Sequence, residues 1–476
     1  MERGGAKGFQ FVVMIILARL LEPKDFGLIV LVSIFITFAG VFVQSGFNTA
    51  LIQKNTVDEL DFSSVFYLNL FISIILYIML FFTAPFLTIF FKEPQLESVL
   101  RVLSLILFIT PFSSVQNAVI ARNMEFKILF FSTLGAILIS SIVGIIMAYA
   151  SLGVWALVGQ QLTNQLMITI ILWFTVKWRP NFIFSMERIK ILFSFGWKLL
   201  ISSLLDTLSS NFQNLLVGKI FNPVLLGFYN RGEQFPNLIV SNIDGAINSV
   251  MLPTLSFYQD DNHRIKSLVR RSIVTTTFII FPIMIGLAVI AEPLVKILLT
   301  DKWLPAVPML QIFCISYALW PIHTANLQVM NALGRSDLFL KLEIIKVILS
   351  LIILGISVNF GIYGIIWGTL VMSFLSTFIN AYPNQKLIAY SFQEQWKDII
   401  PSFFLSLVMG ILVYTIHWFG MIAIFTIIIQ VFAGVTIYVG LARMFKLECF
   451  NYLLLTLKEM LRNKRNRKTK LIKNEV

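Results

Sequence analysis

The chain is 476 residues long, 58% hydrophobic and only 13% charged, with a mean hydropathy of +0.85 and a formal net charge of +13. A soluble domain of this length needs far more charge to cover its surface, so the composition excludes a water-soluble globular protein and predicts a polytopic membrane protein. The longest polar stretches, 177–190, 257–271 and the tail after Arg443, are too short for a separate soluble domain.

Apolar runs bounded by polar or Gly/Pro clusters predict an all-α chain of about fourteen transmembrane helices. They fall at 4–21, 26–48, 62–84, 96–118, 127–149, 153–176, 191–220, 224–252, 272–291, 304–331, 338–358, 361–383, 400–419 and 421–443. The first is short. Its uninterrupted run Phe9–Leu21 has 13 residues, against the ~20 that a span needs. Either the bilayer thins there, with Lys7 snorkelling, or the first helix is truncated by a late start.

Charge orients the spans. With both termini in the cytoplasm, 27 of the 37 Lys and Arg fall on the inner side and seven on the outer, while Lys198, Arg231 and Lys346 lie within spans. That asymmetry is the positive-inside pattern. The net positive charge then reflects topology and contact with anionic lipid; a nucleic-acid partner is disfavoured. Cys314 and Cys449 suggest no disulfide framework, and His263, His323 and His417 have no metal-ligand spacing. Phosphate-loop, dinucleotide and H-E-x-x-H motifs are missing from the sequence, so no catalytic residue, cofactor or metal is expected.

The chain contains itself. ARLLEPKDFG (18–27) aligns with GKIFNPVLLG (218–227) at an offset of 200, pairing Arg19 with Lys219, Pro23 with Pro223 and Gly27 with Gly227. Further on, Pro85 pairs with Pro293, Pro111 with Pro321, Gly153 with Gly361 and Trp155 with Tyr363, at offsets of 208 to 210. Two pseudosymmetric six-helix bundles in one orientation follow. The expected divisions are a first repeat at 1–176, a linker at 177–190, a second repeat at 191–383, two extra helices at 384–443 and a basic tail at 444–476. Polar stripes obey the duplication. Ser33, Thr37, Gly40, Gln44 and Asn48 share one face of the second span, and Glu233, Asn237, Ser241, Asp244 and Asn248 share one face of the eighth. The seventh span carries Lys198, Ser202, Asp206, Ser209 and Gln213. Such faces cannot meet lipid cheaply, so they should line a bundle interior or a wet cavity.

The blocks IILARLLEPKDFGL (15–28) and SFGWKLLISSLLDTLSSNFQNLLVGKIFNPVLLGFYNRGEQFP (194–236) resemble the polysaccharide-transporter branch of the multidrug/oligosaccharidyl-lipid/polysaccharide exporter superfamily. Within it the chain is most similar to O-antigen and exopolysaccharide repeat-unit flippases of the colanic-acid exporter type. The resemblance implies fourteen helices, a cationic central cavity, alternating access and a bacterial plasma-membrane location. It also implies a substrate: a polyprenyl-diphosphate-linked oligosaccharide, moved from the cytoplasmic to the outer leaflet.

A diphosphate headgroup needs fixed cations, and sugar hydroxyls need amides. Arg231, Lys198, Arg19 and Lys219 are the cationic candidates; Asn237, Asn248, Gln44 and Asn48 are the amide candidates. Asp206, Glu233 and Asp244 could couple transport to protons or sodium, or pair structurally, with Arg231 as one partner. Arg122 and Arg335 occupy corresponding cytoplasmic loops, and Glu343 and Lys346 can pair on one face. His323 reads as a satisfied interior histidine. Trp155, Trp173, Trp178, Trp303 and Trp418 are expected in an interfacial belt. The amphipathic segment Lys446–Arg462 and the polybasic 463–473 suit an anionic leaflet and docking of other polysaccharide-synthesis proteins. The alternatives are a cation-coupled multidrug antiporter of the same superfamily and a membrane-embedded polymerase or glycosyltransferase. The short outer loops argue against the enzyme.

Overall fold

The computed structural model describes residues 2–44, 46–54, 56–455 and 458–459, and all regular secondary structure among them is helical. Among the described residues the predicted spans are largely helical, though those at 26–48, 96–118 and 304–331 are each divided between successive helices. Among the described residues nine segments are long and apolar enough to cross a membrane, or ten when the segment around residue 195, bent by 58°, is taken as one span. The chain divides into two compact units, Met1–Asn230 and Arg231–Val476.

The first unit contains α1 (Glu2–Leu20), α2 (Pro23–Gln44), α3 (Phe47–Gln53), α4 (Glu59–Phe91), α5 (Gln95–Leu103) and α6 (Leu105–Asn123). It continues with α7 (Phe126–Tyr149), α8 (Val154–Thr175), α9 (Met186–Ile220) and the first turns of α10 (Pro223–Phe257). Thus α9, which the duplication assigns to the second repeat, packs in the first unit, against α2 and α4. The linker before α9 is tied down there as well. The Asn181 and Ser185 amides donate to the Ser63 and Ser64 hydroxyls at 3.1 and 2.9 Å, and Trp178 donates to Glu59 at 3.2 Å.

The second unit holds the rest of α10, α11 (Asn262–Val289), α12 (Ala291–Leu298), α13 (Val307–Ala318) and α14 (Trp320–Ala332). Then come α15 (Ser336–Ser357), α16 (Gly361–Ile388), α17 (Phe392–Tyr414), α18 (Ala423–Met444) and a further helical stretch over 448–455. Its core joins Phe278 of α11 to Leu405 and Met409 of α17, Tyr438 of α18 and Cys449. The polybasic run 463–473 lies outside the described residues.

Burial is inverted relative to a soluble protein. Asp61, Asn69, Gln116, Asn326 and Asn384 are buried, whereas Phe86 and Phe174 are 72% and 87% exposed. Only lipid makes that distribution stable. At the end that charge assigns to the cytoplasm, Asp58, Ser185, Asp261 and Ser391 cap α4, α9, α11 and α17 by accepting from the third backbone amide. At the opposite end α2 and α10 open on Pro23 and Pro223, which lack the amide that a first turn cannot satisfy.

The duplication is written into the backbone. Positive φ recurs at equivalent places: Lys92 (57°) and Thr300 (85°), Met124 (57°) and Gly334 (68°), Gly153 (57°) and Gly361 (76°). A left-handed residue costs a side chain strain, so the glycine pair at the starts of α8 and α16 is placed where only glycine is unstrained.

The repeated Pro/Gly turn also has a tertiary cause. Within the first unit the α2 and α10 copies pack on each other reciprocally. A Cβ on Gly27 would lie 1.7 Å from the Pro223 carbonyl oxygen, and one on Gly227 would lie 2.1 Å from that of Pro23. Each proline opens one helix while its carbonyl fills the space that the other copy's glycine leaves vacant.

Candidate functional site

Arg231 lies beside the start of the α10 stripe. Its side chain is buried, donates to the Gln234 amide oxygen, and sets its guanidinium 5.8 Å from the centre of the Trp303 ring. That is within cation–π range. Gly232 makes the approach possible, because a Cβ there would press on Leu310 and Met309 at 3.0 Å. Trp303 is fully buried and is not an interfacial residue as its place near a span end suggested. The short 3-10 turn Asp301–Ala306 folds its indole inward. Trp418, by contrast, is 77% exposed.

Just beyond Arg231, the Tyr317 hydroxyl donates to Glu233 Oε1 at 2.7 Å, and the Tyr317 ring stacks on Trp320 at 5.4 Å. About three to four turns further, Asn248 Nδ2 donates to the Asp244 carboxylate at 3.2 Å while its carbonyl oxygen accepts from Gln328 at 2.6 Å. The two stripe carboxylates therefore sit in separate hydrogen-bonded groups, both built between α10 and α13–α14. Asn237 lies between them and is exposed.

In the first unit the candidates scatter over three places. Asn48 donates to the Ser114 hydroxyl at 3.0 Å, and the buried Asn69 donates to the same oxygen at 3.2 Å. Gln44, Lys198, Asp206 and Arg19 are exposed. Lys219 donates to the Phe90 carbonyl at 2.5 Å, and its ammonium lies 3.7 Å from the Phe90 ring centre, an anchor at the end of α4. The predicted set thus forms a buried cation with an aromatic neighbour, two carboxylate groups on α10, and polar positions on α1, α2 and α9, while Asn48, expected on the same helix as Gln44, lies on α3.

Arg122 donates to the Leu51 and Lys54 carbonyls at 3.1 and 2.6 Å and so caps the C-terminus of α3, a structural task. Arg335 pairs with Asp337 at 2.9 Å, and Lys346 with Glu343 at 2.5 Å. His323 Nε2 is 3.0 Å from the Ser373 carbonyl and 2.9 Å from the Thr377 hydroxyl, the satisfied interior histidine that its setting predicted.

Sequence reading missed Trp303, Tyr317, Gln328 and a buried amide cluster. There Asn326 and Gln395 exchange two hydrogen bonds of 3.0 Å, and Asn384 donates to Asn326 Oδ1 at 2.6 Å. Single amides in apolar runs were the available signal, but their partners lie 58 and 69 residues away in sequence.

The family model described as polysaccharide biosynthesis protein matches residues 16–308, more than half of the chain. The chain belongs to this family. Among curated relatives it is similar to the teichuronic acid biosynthesis protein TuaB of Bacillus subtilis (strain 168), 26% identical over 421 residues and 85% of each chain. It is also similar to the lipopolysaccharide biosynthesis protein WzxC of Escherichia coli (strain K12), 22% identical over 84% of this chain and 82% of the other. Among solved structures it resembles the lipid II flippase MurJ in an inward closed conformation, with a TM-score of 0.74, 16% identity, and 93% and 98% of the two chains covered. A multidrug resistance MATE family transporter matches with a TM-score of 0.62 at 15% identity, over 79% of this chain and 95% of the other. Family membership and fold agree: this member is a multi-pass membrane protein whose regular structure is helical among the described residues.

Proposed function

We propose that the chain is a flippase that moves polyprenyl-diphosphate-linked oligosaccharide repeat units from the cytoplasmic to the outer leaflet of the bacterial plasma membrane. It works by alternating access, with both termini cytoplasmic, and serves polysaccharide synthesis. The observation that carries the reading is the family match over residues 16–308. A relative of 22% identity that covers 73% of this chain is the succinoglycan biosynthesis transport protein ExoT of Rhizobium meliloti (strain 1021), which supports transport over polymerisation. Arg231 is the phosphate contact in this reading. Its guanidinium is fixed by Gln234 and Trp303 at the start of the polar α10 stripe, and the amides below it suit a glycan. Glu233 and Asp244 are the sites at which a proton or sodium ion would couple to the cycle.

In proteoliposomes, full-length protein should move a fluorescent polyprenyl-diphosphate oligosaccharide between leaflets. Loss of a charge-assisted contact costs about 1.5–3 kcal/mol, so Arg231→Ala should lower the rate by about 10- to 100-fold. Normal translocation by this variant removes Arg231 from the mechanism. The MATE likeness favours a second reading, a cation-coupled drug antiporter; ion-driven efflux of cationic dyes without lipid translocation would establish it instead.

A further inference from the structure

Three clefts run side by side along α11 in the second unit, and they differ in character. The central one, about 440 Å³, is lined by Arg270, Arg271, Lys397, Asp398 and Glu448, with Tyr452 from the helical stretch after α18. A second, about 560 Å³, shares Ser267 and Arg270 with it and adds Lys266, Lys386 and Glu394. The third, about 300 Å³, shares Arg271, Thr275 and Tyr452 but is otherwise largely apolar, with Ile247, Val250, Met251, Leu255 and Leu268 in its walls.

Two of the cations are committed. Arg270 makes a bidentate pair with Asp398 at 2.8 and 2.7 Å, and Lys266 meets both oxygens of Glu394 at 3.0 and 2.9 Å. These pairs bind α11 to α17 and hold the clefts open. Among the charged lining groups that leaves Arg271, Lys397 and Lys386 against the single carboxylate Glu448. Arg271 lies 3.5 Å from the Tyr452 ring centre, a contact that uses the flat face of the guanidinium and leaves its edge donors for an acceptor. Depth fits as well. On both helices the charged turn gives way at once to apolar sequence, Arg271 to Ile273 and Asp398 to Ile399, which is the transition between headgroup and acyl levels.

We infer that this groove is a binding site for an anionic phospholipid, with the phosphate between Arg271 and Lys397 and an acyl chain in the apolar cleft beneath Tyr452. The site is separate from the transport stripe and does not depend on which substrate is moved. It makes the segment after α18 a lid that a membrane lipid holds against α11.

The test uses the full chain in nanodiscs of phosphatidylcholine with a small fraction of phosphatidylglycerol, and counts tightly retained phosphatidylglycerol by native mass spectrometry. The joint Arg271→Gln and Lys397→Gln variant should retain at least about tenfold less phosphatidylglycerol, with phosphatidylcholine retention unchanged. If that variant does not fold, Leu268→Trp, which fills the apolar cleft and leaves the cations, should produce the same loss. Inorganic phosphate and glycerophosphate at millimolar concentration should fail to displace the lipid. Undiminished retention in whichever of these variants folds overturns the proposal. Displacement by inorganic phosphate overturns it in favour of a soluble-anion site, and displacement by an equimolar polyprenyl diphosphate overturns it in favour of a station on the substrate path.

Discussion

Replacing Gly27 by alanine tests the packing of the duplicated turn directly. In an open helix the change would be favourable, because glycine costs about 1 kcal/mol against alanine in a helix interior. Here the new methyl would lie 1.7 Å from the Pro223 carbonyl oxygen, and 2.5 and 3.0 Å from the carbonyl carbon and Cα of that residue. The obstacle is backbone, so no rotamer relieves it. Overpacking costs about 1–3 kcal/mol, and a clash with backbone that must itself move puts this site at the upper end, about 3 kcal/mol. Setting the helix gain against it leaves a net loss of about 2 kcal/mol. For a unit of 230 residues that corresponds to a fall of about 4–8 °C in Tm. The assay is a thermal melt of purified protein, with Gly40→Ala as control, since nothing lies within 4 Å of a Cβ at that position. Gly227→Ala should fall similarly, and the double variant should lose less than the sum, because both substitutions push apart one pair of turns. A Gly27→Ala protein that melts with or above the wild type refutes the reciprocal packing.

The amide cluster of the second unit gives another expectation. Asn326→Leu is close in volume but orphans both ends of the Gln395 amide and a donor of Asn384; at about 1–3 kcal/mol for each orphaned group, the melt should fall by more than for Gly27→Ala, and an unchanged melt would count against the cluster. At the start of α4, the Asp61 backbone amide and then the Arg188 charge hold the Asp58 carboxyl below its ordinary 3.8. Its contribution is therefore present above the unfolded value and lost as pH falls through the lower folded one. Asp58→Asn should lower Tm at neutral pH and leave it little changed in acid, so that the acid limb of a Tm-against-pH curve becomes shallower; an unaltered acid limb would reject the assignment. Cysteine placed at Asp301, whose side chain is 70% exposed, should react with an impermeant maleimide from outside intact cells. Labelling only after lysis would overturn the orientation drawn from the Lys and Arg distribution.

What the sequence determined by itself follows from short-range rules. Apolar run length marks where helices lie, because a backbone in lipid must satisfy its own hydrogen bonds. The offset of 200 to 210 residues marks the duplication, and its glycines already carry the requirement for positive φ at Gly153 and Gly361. The spacing of Glu233, Asp244 and Asn248 puts them on one face of α10 before any partner is known. Only the tertiary structure decided what those side chains meet. Glu233 finds Tyr317, 84 residues away, and Asn248 finds Gln328, 80 away. Trp303 turned inward beneath Arg231, although its place near a span end resembles that of Trp418. Periodicity assigns a residue to a face, but the identity of the facing helix depends on chain packing over distances that no local pattern encodes. The Pro/Gly turn shows both halves: its repetition was legible in the letters, and its cause, two backbones pressed together at Gly27 and Gly227, was visible only when the two copies met in space.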